Sequence, residues 1–182
     1  MKQKDLFTAA LSVAAAALIV LGVRVGTAGL AAKNAQNAQA ELNAALAFLL
    51  PESKTFSQEV YDGTDEAIRA VYKGETGYVV ETCTAGYAGD IVLLVGVDND
   101  GTVTGLTVRQ MEETWGLGAR ALTDADFLIQ FLGTDGSAEV GTNVDALTGA
   151  TVSSKAIARG VNAAVGFVTG ADTSSSATTW GG

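Results

Sequence analysis

Eleven consecutive residues, Asp145-Ala-Leu-Thr148-Gly149-Ala150-Thr151-Val152-Ser153-Ser154-Lys155, combine hydroxyls, small side chains and one cation. The apolar spacing that begins at Val152 predicts a helix over 152–168, so this loop opens onto a helix N-terminus. Backbone N–H groups and the positive end of the helix dipole favour an anion there. Gly149 and Ala150 leave room for close approach, four hydroxyls fall within seven residues, and Lys155 adds a charge one turn into the helix. An ordinary helix start uses the same residues, with Thr151, Ser153 or Ser154 as the cap and nothing bound. On the residues alone both readings stand. The loop lacks the Gly-Lys-Ser/Thr ending of a nucleotide P-loop, so it fits ATP poorly.

A second stretch, Glu112-Glu113-Thr114-Trp115-Gly116-Leu117-Gly118-Ala119-Arg120, offers a different chemistry. Two glycines around Leu117 indicate a backbone that passes close to something. Trp115 offers a flat surface for stacking, or else a buried aromatic. Glu112 and Glu113 could be the acid pair of a hydrolase, but adjacent residues on a strand point to opposite faces. The chain of 182 residues has no histidine and a single cysteine, Cys83. That removes the usual general base, the commonest metal ligand and any internal disulfide. Redox chemistry here would need a cofactor to carry the electrons. Neither catalytic side chains nor metal ligands are assigned.

The elements that position these loops are legible from periodicity. Gly77–Thr84 and Asp90–Val97 read as strands, and the turn Asp98-Asn-Asp-Gly101 returns the chain into Thr102–Met111. Gly105 falls where the alternation changes parity between Val103 and Leu106, which predicts a bulge. Thr123-Asp124-Ala125-Asp126 reads as a capped helix start before Phe127–Gly133. Strands in a hairpin followed by helices indicate an α+β domain. From Glu52 onward 18 acidic residues face 7 basic ones, a net charge of −11 that disfavours nucleic acid as a partner.

The N-terminal part has a different composition. Leu6 to Val23 is an uncharged run of eighteen residues, with Lys2 and Lys4 before it and Arg24 after it. This reads as a membrane anchor with the N-terminus cytoplasmic, in competition with a cleaved signal peptide. The expected organisation is a transmembrane anchor over 1–32, a helical linker over 33–54, a domain over 55–170 and a disordered Ser/Thr/Gly-rich tail over 171–182.

Taken together, the two motifs resemble the FMN-binding domain family, and within it the G subunits of Rnf ferredoxin:NAD+ oxidoreductase complexes. The resemblance includes Gly86-Tyr-Ala-Gly89-Asp-Ile-Val-Leu-Leu-Val-Gly-Val-Asp98, the Asp100-Gly101 turn, the Glu113-Thr114-x-Gly-Leu-Gly118 loop and Asp145-x-x-Thr-Gly-Ala-Thr151. It implies an FMN joined to Thr151 through a phosphoester, made by a separate flavin transferase that uses FAD. Thr148, Gly149 and Ala150 would be recognition and approach positions, with Ser153, Ser154 and Lys155 at the same helix start. Glu113, Thr114, Trp115, Gly116, Leu117 and Gly118 would line the flavin. The family usually has Pro where this chain has Trp115, so the resemblance leaves the rigidity of that loop unassigned and offers an indole to the isoalloxazine. The implied role is electron transfer within a membrane-bound, ion-translocating complex. Its partners would be the other Rnf subunits, the flavin transferase and the lipid bilayer, with the flavin domain on the extracytoplasmic side. Competing readings are the C subunit of the related Na+-translocating NADH:quinone reductase and a non-redox extracytoplasmic binding module. The fold class expected is α+β, a single N-terminal transmembrane helix followed by an antiparallel sheet with packed helices.

Overall fold

The computed structural model describes residues 34–111 and 124–171. The chain divides into two units, Met1–Leu42 and Asn43–Gly182. Of the first, residues 34–42 are described, and they are helical. Their side chains are almost all exposed.

The second unit is organised by hydrophobic alternation. Five strands form one antiparallel sheet in the order β1-β2-β3-β4-β5. They are β1 (Ser57–Glu59), β2 (Ile68–Lys73), β3 (Gly77–Ala85), β4 (Asp90–Asp98) and β5 (Val103–Met111). The three strands expected from sequence agree with β3, β4 and β5 to within a residue at each end. On β4 the residues Ile91, Leu93, Val95 and Val97 share the core face, as their spacing requires. The bulge expected near Gly105 is present: Gly96 pairs with Gly105 but Val97 pairs with Val103, which leaves Thr104 as the extra residue. Its hydroxyl donates to Leu49 O at 2.7 Å. Leu49 belongs to the helix over 34–49, here α1. The last turn of α1 buries Leu46, Leu49 and Leu50 at the i, i+3, i+4 spacing of an amphipathic stripe.

The short α2 (Ala125–Leu128) is capped by Asp124, whose carboxylate accepts Phe127 N–H at 3.1 Å. It tightens into a 3-10 turn over Ile129–Phe131 and ends before Gly133, whose φ is +75°. Phe127 and Phe131 meet edge to face at 5.3 Å and enter the core. The long α3 (Thr151–Thr169) packs on β3 and β4 and is closed by Gly170 in the left-handed conformation.

The expectation of a single transmembrane helix is corrected. Among the described residues no helix is long and apolar enough to cross a membrane. α1 cannot serve, because Asn34, Gln36, Asn37, Gln39 and Glu41 break its apolar character and its leucine stripe is used in the domain core. The apolar run Leu6–Val23 and the tail 172–182 lie outside the described residues. The fold is an α+β domain with an antiparallel sheet and packed helices.

Two buried polar side chains make opposite contributions to stability. Asn162 on α3 accepts Ala138 N–H at 3.1 Å and donates to Ala138 O at 2.9 Å. Asn162→Ala should therefore cost roughly 2–4 kcal/mol. Thr82 is fully buried and its hydroxyl has no hydrogen-bond partner. Thr82→Val should be neutral or stabilising, since it removes an unsatisfied group at nearly constant volume. Urea unfolding of the two variants checks both signs, and a destabilised Thr82→Val contradicts this account.

Candidate functional site

The direction of α3 is set by contacts at its two halves. Thr84 near the end of β3 donates its hydroxyl to Ala156 O at 2.9 Å. At the other end, a Cβ added to Gly101 in the β4–β5 turn would lie 2.4 Å from Thr169 Cγ2. The start of α3 therefore lies at the sheet end that carries the 86–89 turn. Ile91 pairs there with Thr84 on one side and Met111 on the other. β5 thus ends at this same end of the sheet. The second motif, including Glu113, Thr114, Trp115, Gly116, Leu117 and Gly118, lies outside the described residues.

The first motif is fully described. Gly149 has φ +78°, a conformation that favours a residue without Cβ, and it turns the chain into the helix. Ala150 occupies the N-cap position, and its side chain makes no cap hydrogen bond. None of Thr151, Ser153 and Ser154 is therefore the N-cap, the ordinary role open to them on sequence. Thr151 is the first helical residue and is exposed, as are Thr148, Gly149 and Lys155. Ala150 is buried.

The other two hydroxyls point inward. Ser153 is 1% exposed and Ser154 fully buried. Ser154 Oγ accepts Leu147 N–H at 3.1 Å and donates to Ala150 O at 2.9 Å. Ser154 thus fastens the loop to the first turn of the helix from inside. Further back, Gln130 Oε1 accepts Asp145 N–H at 2.8 Å, and its Nε2 lies 3.5 Å from Asp145 O. Sequence spacing did not single out Gln130, which is 15 residues away in the chain. Tyr87, 74% exposed in the 86–89 turn, also lies at this end of the sheet. It was legible only as part of the Gly86-Tyr-Ala-Gly89 pattern.

These residues fit a phosphate ester. An exposed secondary hydroxyl sits in the first turn of a 19-residue helix whose N-cap is a buried alanine, beside a glycine. The helix dipole favours negative charge at that position. Thr151, with Thr148 and Gly149 beside it and Lys155 one turn on, is the group that could hold the phosphate of a flavin nucleotide.

Cys83 lies elsewhere, in β3 opposite Val92. Burial pushes its thiol above the usual range, with the nearby Arg69 opposing the shift and Asp90 adding to it. A separate cleft of 690 Å³ lies toward the far end of α3, lined by Tyr61, Asp65, Ala163, Gly166 and Phe167 among others.

Comparison with known proteins identifies the domain's family. The FMN-binding domain family matches residues 86–166, from the β3–β4 turn through most of α3. The match makes this an FMN-binding domain. The G subunit of the Na+-translocating ferredoxin:NAD+ oxidoreductase complex of Acetobacterium woodii is 36% identical over 114 residues, 55% of each chain. The G subunit of the ion-translocating oxidoreductase complex of Methanosarcina acetivorans is 40% identical over 113 residues, 59% of this chain and 57% of the relative. The chain spans little more than half the length of these two relatives. With the corresponding G subunit of Vibrio atlanticus the identity is 31% over 157 residues, 73% of this chain and 75% of the relative. The chain belongs to the family of FMN-binding G subunits of ion-translocating oxidoreductase complexes.

Two outcomes follow from the geometry. Ser154→Ala removes both of its loop bonds at a buried position, and should cost about 1–3 kcal/mol in urea unfolding. Iodoacetamide should alkylate native Cys83 more slowly than the denatured chain at neutral pH, because less thiolate is present. The pH–rate midpoint should lie higher in the native protein; equal midpoints would contradict the burial effect.

Proposed function

We propose that this chain is an electron-transfer subunit of a ferredoxin:NAD+ oxidoreductase complex of the ion-translocating kind, carrying FMN on Thr151 through a phosphoester. One observation carries the assignment of Thr151: it is the exposed hydroxyl in the first turn of α3, directly after an alanine N-cap that makes no side-chain hydrogen bond. Attachment joins the Thr151 oxygen to the phosphorus of the FMN half of FAD and breaks the pyrophosphate bond, releasing AMP. A flavin transferase would be the partner in that step. The ester keeps one negative charge, which the helix N-terminus and Lys155 suit. FMN held here would supply the electron carrier, which a chain with no histidine and a single cysteine lacks among its own side chains.

Around the tether the roles differ. Thr148, Gly149 and Ala150 form the approach to the acceptor, while Ser153 and Ser154 support it from inside. Glu113, Thr114, Trp115 and the Gly116-Leu117-Gly118 turn would line the ring. The relatives' names support association with other subunits of such a complex. Ion translocation needs a barrier to work across, so we also infer membrane association, with the flavin domain on the extracytoplasmic side.

The test uses the full chain co-expressed with a flavin transferase and separated on a denaturing gel. Wild type should fluoresce and gain the mass of FMN less water. Thr151→Val should lose both while keeping its unfolding transition. Fluorescence retained in Thr151→Val refutes the assignment. Thr148→Ala should reduce labelling without abolishing it, since it lacks the acceptor oxygen's role.

A further inference from the structure

We propose that Gln130 is a positioning residue for flavin attachment, gripping the backbone of Asp145 and so fixing the loop that presents Thr151. The proposal rests on Thr151 being the acceptor.

Residues 145–150 belong to no helix or strand. A backbone turn closes the end of this loop, Ala150 N–H to Leu147 O at 2.9 Å, and side chains tie it to its neighbours. Ser154 holds its inner part at Leu147 and Ala150. Gln130 holds its beginning, with Oε1 on Asp145 N–H at 2.8 Å and Nε2 facing Asp145 O at 3.5 Å. A carboxamide suits this task because it offers one acceptor and one donor in a plane, matching the N–H and C=O of a single residue. The shorter of the two bonds is the strong one; the longer lies at the limit of hydrogen bonding.

The element carrying Gln130 is fixed independently of that grip. Phe127 and Phe131, on either side of it in sequence, are in the core, and Asp124 caps the turn. Gln130 can therefore be changed without removing the anchor of α2. The same turn also receives the chain after residues 112–123, which contain the second motif. Gln130 thus ties this turn to the start of the acceptor loop, 15 residues further along the chain. A flexible acceptor loop must be ordered each time the transferase engages it, whereas a clamped one presents Thr151 already placed.

The experiment uses the full chain made without a flavin transferase. Purified transferase, FAD and Mg2+ are then added, and initial labelling is followed by gel fluorescence. Gln130→Met keeps the side-chain volume and removes both polar groups. It should label on the order of five- to tenfold more slowly than wild type, the scale of one lost hydrogen bond, with an unchanged thermal midpoint. Gln130→Glu retains the oxygen that accepts Asp145 N–H and should label at nearly the wild-type rate. Wild-type rates in Gln130→Met overturn the proposal, as does a Gln130→Glu protein as slow as Gln130→Met. A Gln130→Met chain without a folded transition also overturns it, because the residue would then support the fold at large. Failure of the underlying reading is distinct. It shows as label persisting in Thr151→Val, or as a wild type that takes no flavin, and either result removes both claims.

Discussion

The close seating of α3 on the sheet is the constraint from which the site follows. A Cβ on Gly160 would lie 2.8 Å from Thr82 Oγ1 and 2.9 Å from Leu93 Cδ1, so the helix approaches as near as its backbone allows. Thr84 exploits that approach by donating to Ala156 O, a helical carbonyl facing the sheet. The apolar face follows behind, with Ile157, Val161, Ala164 and Val165 fully buried. Burying side chains of this size contributes about 1.5–3 kcal/mol for each of the larger ones. A helix held in this way has a defined beginning. Thr151 is located by packing that occurs well inside the domain, away from any ligand.

Between the rigid helix and the sheet runs a segment with little regular structure, and polar side chains stabilise it. Asn162 takes both backbone groups of Ala138. Asn143 accepts Glu139 N–H at 2.7 Å and donates to Ser137 O at 2.8 Å. Gln130 and Ser154 do the same at the two parts of the loop over 145–150. The recurrent device is an amide or hydroxyl that satisfies backbone groups which no ladder reaches. It gives an irregular loop the positional definition of an element while leaving its outer surface open. Thr148 and Thr151 lie on that outer surface.

The sequence made some of this readable and hid the rest for physical reasons. β3, β4 and β5 were legible because a core face imposes strict alternation, and the bulge at Thr104 was legible because Gly105 breaks it. β1 and β2 were not read as strands. Ser57–Glu59 is exposed throughout, and in Ile68–Lys73 the adjacent Val71 and Tyr72 are both buried, which blurs the period. The helix after Asp124 was expected to extend through Phe127–Gly133, but it tightens to a 3-10 turn at Ile129, where Phe131 can still enter the core. Ser153 and Ser154 look like Thr151 in a string of hydroxyls. Only the packed helix separates the buried pair from the exposed Thr151. Gln130 carried no signal at all, since its partner is a backbone amide, and backbone amides leave no trace in residue type.

The exposure of the α3 start among the described residues bears on why a covalent bond would be useful there. Thr148, Gly149, Thr151 and Lys155 are all exposed, and the 690 Å³ cleft lies toward the other end of α3. Retention of a free ligand normally requires a concave site that buries most of its surface. The domain is also strongly acidic, with a net charge of −11 beyond residue 51, which repels a phosphate at long range. Screening limits that repulsion to roughly 8 Å at physiological ionic strength, so nearby groups outweigh distant ones. Lys155 and the partial positive charge of the α3 N-terminus are the nearby groups on this helix. They are enough to orient an anion already attached, but an exposed helix end offers little with which to retain one. An ester at Thr151 removes the need for binding free energy, and the helix start then has only to hold the phosphate in place.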